Sequence, residues 1–136
     1  MYSKAVKDKM ANFIRMYGHG VAKAIANTNL FFPTVMAQSA FESGYGENIP
    51  KGSNNFGGIK YNPNLYGVVG YVEVPTGEYI NGKKVKVLQK FSKFKDAETG
   101  FLAYIKLLLG DRYKYARELA KTPEQQIELI VKAGYS

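Results

Sequence analysis

The stretch Met36 to Gly46, MAQSAFESGYG, places one carboxylate, Glu42, on the last turn of what reads as an apolar helix. Two effects act on that group: leaving water penalises its charged form, and the carbonyl end of the helix repels it. Both raise its pKa, and a glutamic acid that keeps its proton near neutrality can donate to a leaving oxygen. Ser43, Gly44 and Gly46 follow around Tyr45, and small residues there let a ligand approach closely. The competing reading is that Glu42 turns into water and does nothing, the commoner fate of a glutamate. A lone acid needs a partner to activate water or steady a developing cation. Glu78, three residues before Asn81-Gly82, is the candidate, against its reading as a solvated edge-strand charge. Glu73 is a weaker second choice, and Glu47 lies close to Glu42 in sequence.

Other constellations carry less. Gly77-x4-Gly82-Lys83 has the outline of a phosphate-binding loop, but Lys84 replaces the required Ser or Thr and the segment reads as a hairpin. His19 is the only histidine, which excludes a multi-histidine metal site and leaves a Ser-His-Asp triad without support. The basic run Lys83, Lys84, Lys86, Lys90, Lys93, Lys95 could meet nucleic acid, yet its alternation with apolar residues reads as the wet face of a strand.

The elements that must hold these residues follow from periodicity. Val6, Met10, Phe13, Ile14 and Tyr17 recur at helical steps between Ser3 and Asn27, with Gly18-His19-Gly20 expected to split the segment into two helices. Pro33 and Gly44 bound a helix over Pro33 to Glu42. From Ser43 to Gly70 the glycines, asparagines and prolines predict a long ordered loop. Val68 to Val74 reads as a strand, and Glu78 to Ile80 pairs with Lys83 to Leu88 across Asn81-Gly82. Helices resume at Asp96 with the stripe Phe101, Leu102, Ile105, Leu108, Leu109. Thr122-Pro123-Glu124-Gln125 is a capping box opening the last helix, Pro123 to Ala133.

The 136 residues suit one domain spanning 1–136. With 46% hydrophobic and 22% charged residues, disordered and fibrous classes are excluded. Eleven tyrosines and eight phenylalanines suit sugars or nucleobases as well as a core. A net charge of +8 favours polyanionic partners. No apolar run approaches a membrane span, and Met1 to Met10 is too charged for a signal peptide, so any export signal is expected outside this chain or another route carries it. The absence of cysteine excludes thiol chemistry.

Five motifs in order carry a resemblance: AQSAFESGYG, SNNFGGIK, VPTGEYINGKKVKVLQKFSKF, AETGFLAYIKLL and AGYS. Together they resemble the endo-β-N-acetylglucosaminidase domains of bacterial peptidoglycan hydrolases, glycoside hydrolase family 73, from about Phe13 to the C-terminus. The resemblance implies an α+β, lysozyme-like fold, a mainly helical body with a small inserted β-hairpin lobe. It implies hydrolysis of the β-1,4 bond between N-acetylglucosamine and N-acetylmuramic acid, with Glu42 as general acid and Glu78 as second carboxylate. Whether Glu78 activates water or the substrate's N-acetyl group assists stays open, as does retention against inversion. Asn55, Phe56, Lys60 and either Tyr113 or Tyr115 are expected to hold the sugar. No metal or other cofactor is required. The expected partner is peptidoglycan glycan strands at the bacterial cell wall, reached by secretion, in the periplasm or by phage delivery, with no nucleic acid, no membrane insertion and a monomeric chain. The alternatives are a muramidase, a lytic transglycosylase, or a non-catalytic wall- or nucleic-acid-binding module. Three departures from the family pattern stand out. Gly57 occupies a position where a second large residue is common, implying a more open groove wall. Ser92 follows Phe91 where an arginine is usual, and the chain stops at Ser136.

Overall fold

The Ser3 hydroxyl accepts from the Val6 amide at 3.2 Å, and α1 then runs unbroken from Lys4 to Ile25. The structure is a computed structural model and describes residues 2–135. Gly18-His19-Gly20 therefore does not split the helix, contrary to expectation. A glycine pair inside a helix costs about 1 kcal/mol per residue, and the packing at Gly18 opposes that cost. A Cβ there would stand 3.2 Å from Ile14 and 3.3 Å from the Phe32 ring, so the missing side chain lets Phe32 press onto α1. Phe13, Val21 and Ile25 continue the same inward face.

Helix α2 spans Phe32–Ser43, with Pro33 in its first turn and Gly44 as a left-handed cap (φ 55°, ψ 48°) whose amide donates to the Ala40 carbonyl. It carries no side-chain cap at its start; instead the Phe31 amide donates to Gln126 Oε1 at 2.9 Å. Ser39 and Ser43 are fully buried on it and donate back to the carbonyls of Val35 and Ser39, at 2.7 and 2.6 Å. Burying those hydroxyls is tolerable because each finds an acceptor within its own helix.

After a long loop the chain forms one antiparallel hairpin, β1 Val68–Ile80 and β2 Lys83–Phe94, turning at Asn81-Gly82 with φ of 53° and 78°. The two separate strand segments expected before the turn are one continuous strand. The register runs Val72↔Phe91, Pro75↔Leu88, Glu78↔Val85, Ile80↔Lys83, with an irregularity between Val68 and Gly70. Pro75 does not interrupt it because β1 is an edge strand of a two-stranded sheet, where a missing N–H can go unanswered. On the other side of β2 the Lys60–Phe91 bridge, with Ser92 N donating to Ile59 O at 3.0 Å, ties the ribbon's base to the preceding loop.

Helices α3 Ala97–Leu108, α4 Lys114–Leu119 and α5 Pro123–Lys132 complete the body, with a short 3-10 turn at Asp111–Tyr113. Asp96 caps α3 through the Thr99 amide at 2.8 Å, and Thr122 caps α5 through the Gln125 amide at 3.1 Å. The capping box closes one residue earlier than the usual pattern, since Gln125 Oε1 accepts from the Lys121 amide. At the centre Phe56 stacks on Phe101, centroids 4.4 Å apart, with Phe13 and Tyr17 packed around them. The result is an α+β architecture in which a hairpin inserted between α2 and α3 projects from a helical body.

Candidate active site

Glu42 sits half-buried on the last turn of α2. Among the described residues no hydrogen bond or ion pair engages its carboxyl group, and burial holds its pKa above the usual 4.5. The wall beside it is the Gly57-Gly58 turn. A Cβ on Gly58, which has φ +61°, would lie 2.7 Å from Glu42 Oε2, so the carboxylate rests directly against a backbone that has no side chain to interpose. That arrangement strips water from one side of the acid without supplying a counter-charge, the condition for a raised carboxyl pKa.

Asn55 holds this turn in place. Its amide donates to the carbonyls of Ile59 and Ser92, both at 2.9 Å, and its oxygen accepts from the Ile59 amide at 3.0 Å. With 1% of its surface exposed and its amide committed internally, Asn55 presents no exposed group to a sugar, contrary to expectation. Phe56, 2% exposed and stacked in the aromatic core, has no face for one either. Both position the turn. Ser92, where an arginine is usual, is a third brace: fully buried, it donates to the Lys60 carbonyl at 3.2 Å and accepts from the Asn62 amide at 3.1 Å.

Gly57 does not open the wall. A Cβ there would stand 2.7 Å from both the Tyr104 ring and the Tyr135 hydroxyl, so two tyrosines already fill that space. Tyr104 is buried and donates to Gln38 Oε1 at 2.6 Å, and the Tyr135 hydroxyl donates to the Gly57 carbonyl. Burial raises both phenol pKa values, and the neighbouring Glu42 carboxylate raises them further. Both are therefore neutral hydrogen-bond donors beside the acid at any physiological pH. Tyr135 is a site residue that the sequence reading missed, although the AGYS motif contains it. Its placement depends on Arg112, whose guanidinium donates to the carbonyls of Ala133 and Gly134 at 2.8 and 3.0 Å and so fixes the chain before Tyr135.

Of the two competing late tyrosines, Tyr113 is buried with its ring 6.0 Å from that of Tyr135, while Tyr115 is 69% exposed on α4. The structure thus brings Tyr113, and not Tyr115, into the cluster next to Glu42. Lys60 is exposed where the turn meets β2.

Paired residues of an antiparallel ladder share a face and alternate along each strand. By that parity Glu78, paired with Val85, lies on the same ribbon face as Val72, Phe91 and Lys60. Glu78 lies six positions beyond Val72, roughly 20 Å along the ribbon, and is exposed near the tip. Glu73 pairs with Lys90 on the opposite face, and Glu47 is exposed in an ion pair with Lys9 at 3.2 Å. Glu78 is the one of the three on the face that continues from Lys60.

Residues 18–136 match the Glucosaminidase family, described as mannosyl-glycoprotein endo-beta-N-acetylglucosaminidase. The chain is 33% identical over 108 residues to the peptidoglycan hydrolase FlgJ of Pseudomonas aeruginosa, covering 75% of this chain and 26% of the relative. It is 32% identical over 107 residues to FlgJ of Escherichia coli K12, covering 75% and 34%. The chain therefore spans about a quarter to a third of the length of these curated relatives. A C-terminally truncated glycoside hydrolase domain of Salmonella typhimurium FlgJ superposes with a TM-score of 0.68 at 28% identity, covering 93% of this chain and 86% of that one. A peptidoglycan hydrolase mutant from Sphingomonas sp. A1 gives 0.73 at 26% identity, covering 92% and 83%. The catalytic domain of the Listeria monocytogenes autolysin Auto, at 20% identity and a TM-score of 0.72 over 96% of this chain and 84% of that one, shares the fold. The expected lysozyme-like α+β fold is thus the fold of known hydrolase domains. Because the family match runs through both the acid-bearing helix and the hairpin to the C-terminus, this chain belongs to the glucosaminidase family of glycoside hydrolases.

Proposed function

We propose that this domain cleaves the β-1,4 bond between N-acetylglucosamine and N-acetylmuramic acid in peptidoglycan, acting at the bacterial cell wall. The observation that carries the reading is the half-buried Glu42 with a raised pKa, set against the bare Gly57-Gly58 turn. Glu42 donates its proton to the glycosidic oxygen. Tyr135 fixes the turn, Tyr113 packs behind Tyr135, and Lys60 at the rim holds the substrate. Glu78 activates water or stabilises the oxocarbenium-like transition state once the ribbon bends over the bound glycan. The resemblance to relatives named as peptidoglycan hydrolases supports the substrate, and the net charge of +8 suits an anionic wall.

A second reading has one specific observation in its favour. Glu78 is exposed far out on the ribbon, which suits a lytic transglycosylase working with Glu42 alone. One experiment separates the readings: digest purified peptidoglycan with the parent, Glu42→Gln and Glu78→Gln, and assign the new sugar ends by mass spectrometry. The glucosaminidase reading expects new reducing N-acetylglucosamine ends, abolished by Glu42→Gln and strongly reduced by Glu78→Gln. Anhydro ends made undiminished by Glu78→Gln support the transglycosylase; reducing muramic ends mean a muramidase. Wall solubilisation by Glu42→Gln at the parent rate removes the general-acid role altogether.

A further inference from the structure

The lysine run of β2 is divided by the ladder between two faces. Lys83 and Lys93 share the Glu78 face, whereas Lys84, Lys86 and Lys90 share the opposite one with Tyr71, Glu73 and Tyr79 of β1. At the ribbon's base the β2 residues Ser92 and Phe94 are completely buried in the body, so the β2 side of this back face turns to solvent only from Lys90 outward, while on β1 Tyr71, opposite Ser92, is already exposed. There it is unlike an ordinary solvated strand face. Tyr79 is 77% exposed, Leu88 66% and Tyr71 43%, interleaved with three lysines and opposed by a single carboxylate. The aromatic part is organised: the rings of Tyr61 and Tyr71 lie 5.1 Å apart, and Lys90 stands 4.5 Å over the Tyr71 ring rather than pairing with Glu73 across from it.

We infer that this back face is a docking surface for a second, uncleaved peptidoglycan strand carrying acidic stem peptides. The chemistry fits on both counts. Exposed tyrosine rings offer flat faces to the C–H side of a sugar, with hydroxyl tips for its polar edge. Lys84 and Lys86 stand about 7 Å apart, and Lys90 about 14 Å beyond Lys86, a line of cations along an extended anionic chain. The inference rests on the proposed substrate, because a cross-linked mesh presents a neighbouring strand to a ribbon whose other face continues from Lys60, beside the Gly57-Gly58 turn and Glu42. Holding that strand raises the effective concentration of the next scissile bond without touching the chemistry.

The test separates docking from cleavage. In a Glu42→Gln background, sedimentation with insoluble peptidoglycan stripped of phosphodiester polymers compares the intact back face with Lys84→Gln/Lys86→Gln/Lys90→Gln, and with Tyr79→Ser. The triple variant is expected to bind about tenfold more weakly at low salt, and Tyr79→Ser a few-fold more weakly. Added salt should erase most of the difference between the triple variant and the intact face. With Glu42 intact, the triple variant should cleave short soluble glycan fragments at the parent rate and intact sacculi more slowly. Equal sedimentation of all three proteins overturns the inference. So does binding seen only on walls that retain phosphodiester polymers, or binding displaced by a short oligonucleotide but not by peptidoglycan fragments. If the parent fails to digest peptidoglycan, the proposed function fails, while sedimentation still reads the back face independently.

Discussion

Gly58→Ala tests the contact on which the acid depends. The added methyl would lie 2.7 Å from Glu42 Oε2, whereas a carbon to oxygen contact is comfortable at about 3.3 Å, so one of the two must give by roughly 0.6 Å. The backbone at 58 is held by the Asn55 and Ser92 hydrogen bonds, and Tyr104 and Tyr135 close the inner side. The carboxyl end is therefore what moves, outward into water. A misplacement of about 1 Å can cost 10²-fold in rate, so about half of that displacement predicts roughly a tenfold loss in kcat/KM. Outward rotation also rehydrates the acid, and the alkaline limb of the pH–rate profile should shift toward lower pH. Separately, alanine at φ +61° costs about 1–2 kcal/mol, or a Tm lower by about 3–6 °C for a chain of this size. Gly52→Ala supplies the control: its φ of +77° imposes a similar strain, but a Cβ there meets nothing within 4 Å. Peptidoglycan solubilisation, measured well below both melting transitions, should fall in Gly58→Ala and not in Gly52→Ala. If both variants lose the same Tm and both keep the parent rate and pH profile, the Glu42–Gly58 contact has no part in catalysis.

Three other outcomes follow from the same geometry. The folded state holds Glu42 above its ordinary 4.5, so its stabilising contribution is complete below that pH and is lost as pH rises through the raised value. Glu42→Gln should therefore melt higher than the parent at pH 7 and identically at pH 3.5, as followed by thermal denaturation across pH. Tyr135→Phe removes the donor to the Gly57 carbonyl and should cost about 1 kcal/mol, with the alkaline limb of activity moving down as the turn loosens; an unchanged pH profile would limit the hydroxyl to a structural role. Gly100→Ala would put a Cβ 1.9 Å from the Asn54 carbonyl oxygen, a backbone atom that cannot retreat cheaply, and should destabilise by at least about 3 kcal/mol in a denaturant titration.

Much of this protein was legible locally because local chemistry decided it. The Ser3, Asp96 and Thr122 caps, the Pro33 and Gly44 bounds of α2, and the Asn81-Gly82 turn each depend on residues within one turn of chain. Glu42 on the rim of an apolar helix follows from those bounds. What the sequence could not decide were questions of which surface another segment occupies. Gly18 reads as a helix breaker until Phe32 is seen filling the space it leaves, and Gly57 reads as an open wall until Tyr104 and Tyr135 are found there. Asn55 and Phe56 look like sugar contacts from their motif, and only the closing of β2 and α3 over the loop turns them inward.

Tyr113 and Tyr115 are two residues apart and equivalent in sequence. One is buried and the other exposed because the helical phase at the start of α4, together with the return of the C-terminus, gives only Tyr113 a neighbour. Tyr135 itself meets Gly57 across 78 residues of chain. Neighbours in the chain were enough to decide how α2 is bounded, where the hairpin turns and which carboxylate stands at a helix end, since each is a balance struck locally. Tertiary structure alone decided which face that carboxylate shares with the glycine turn, which tyrosines attend it and which side of the ribbon looks away from it. Those outcomes depend on the packing of segments far apart in sequence, and no local preference encodes the volume one of them leaves for another.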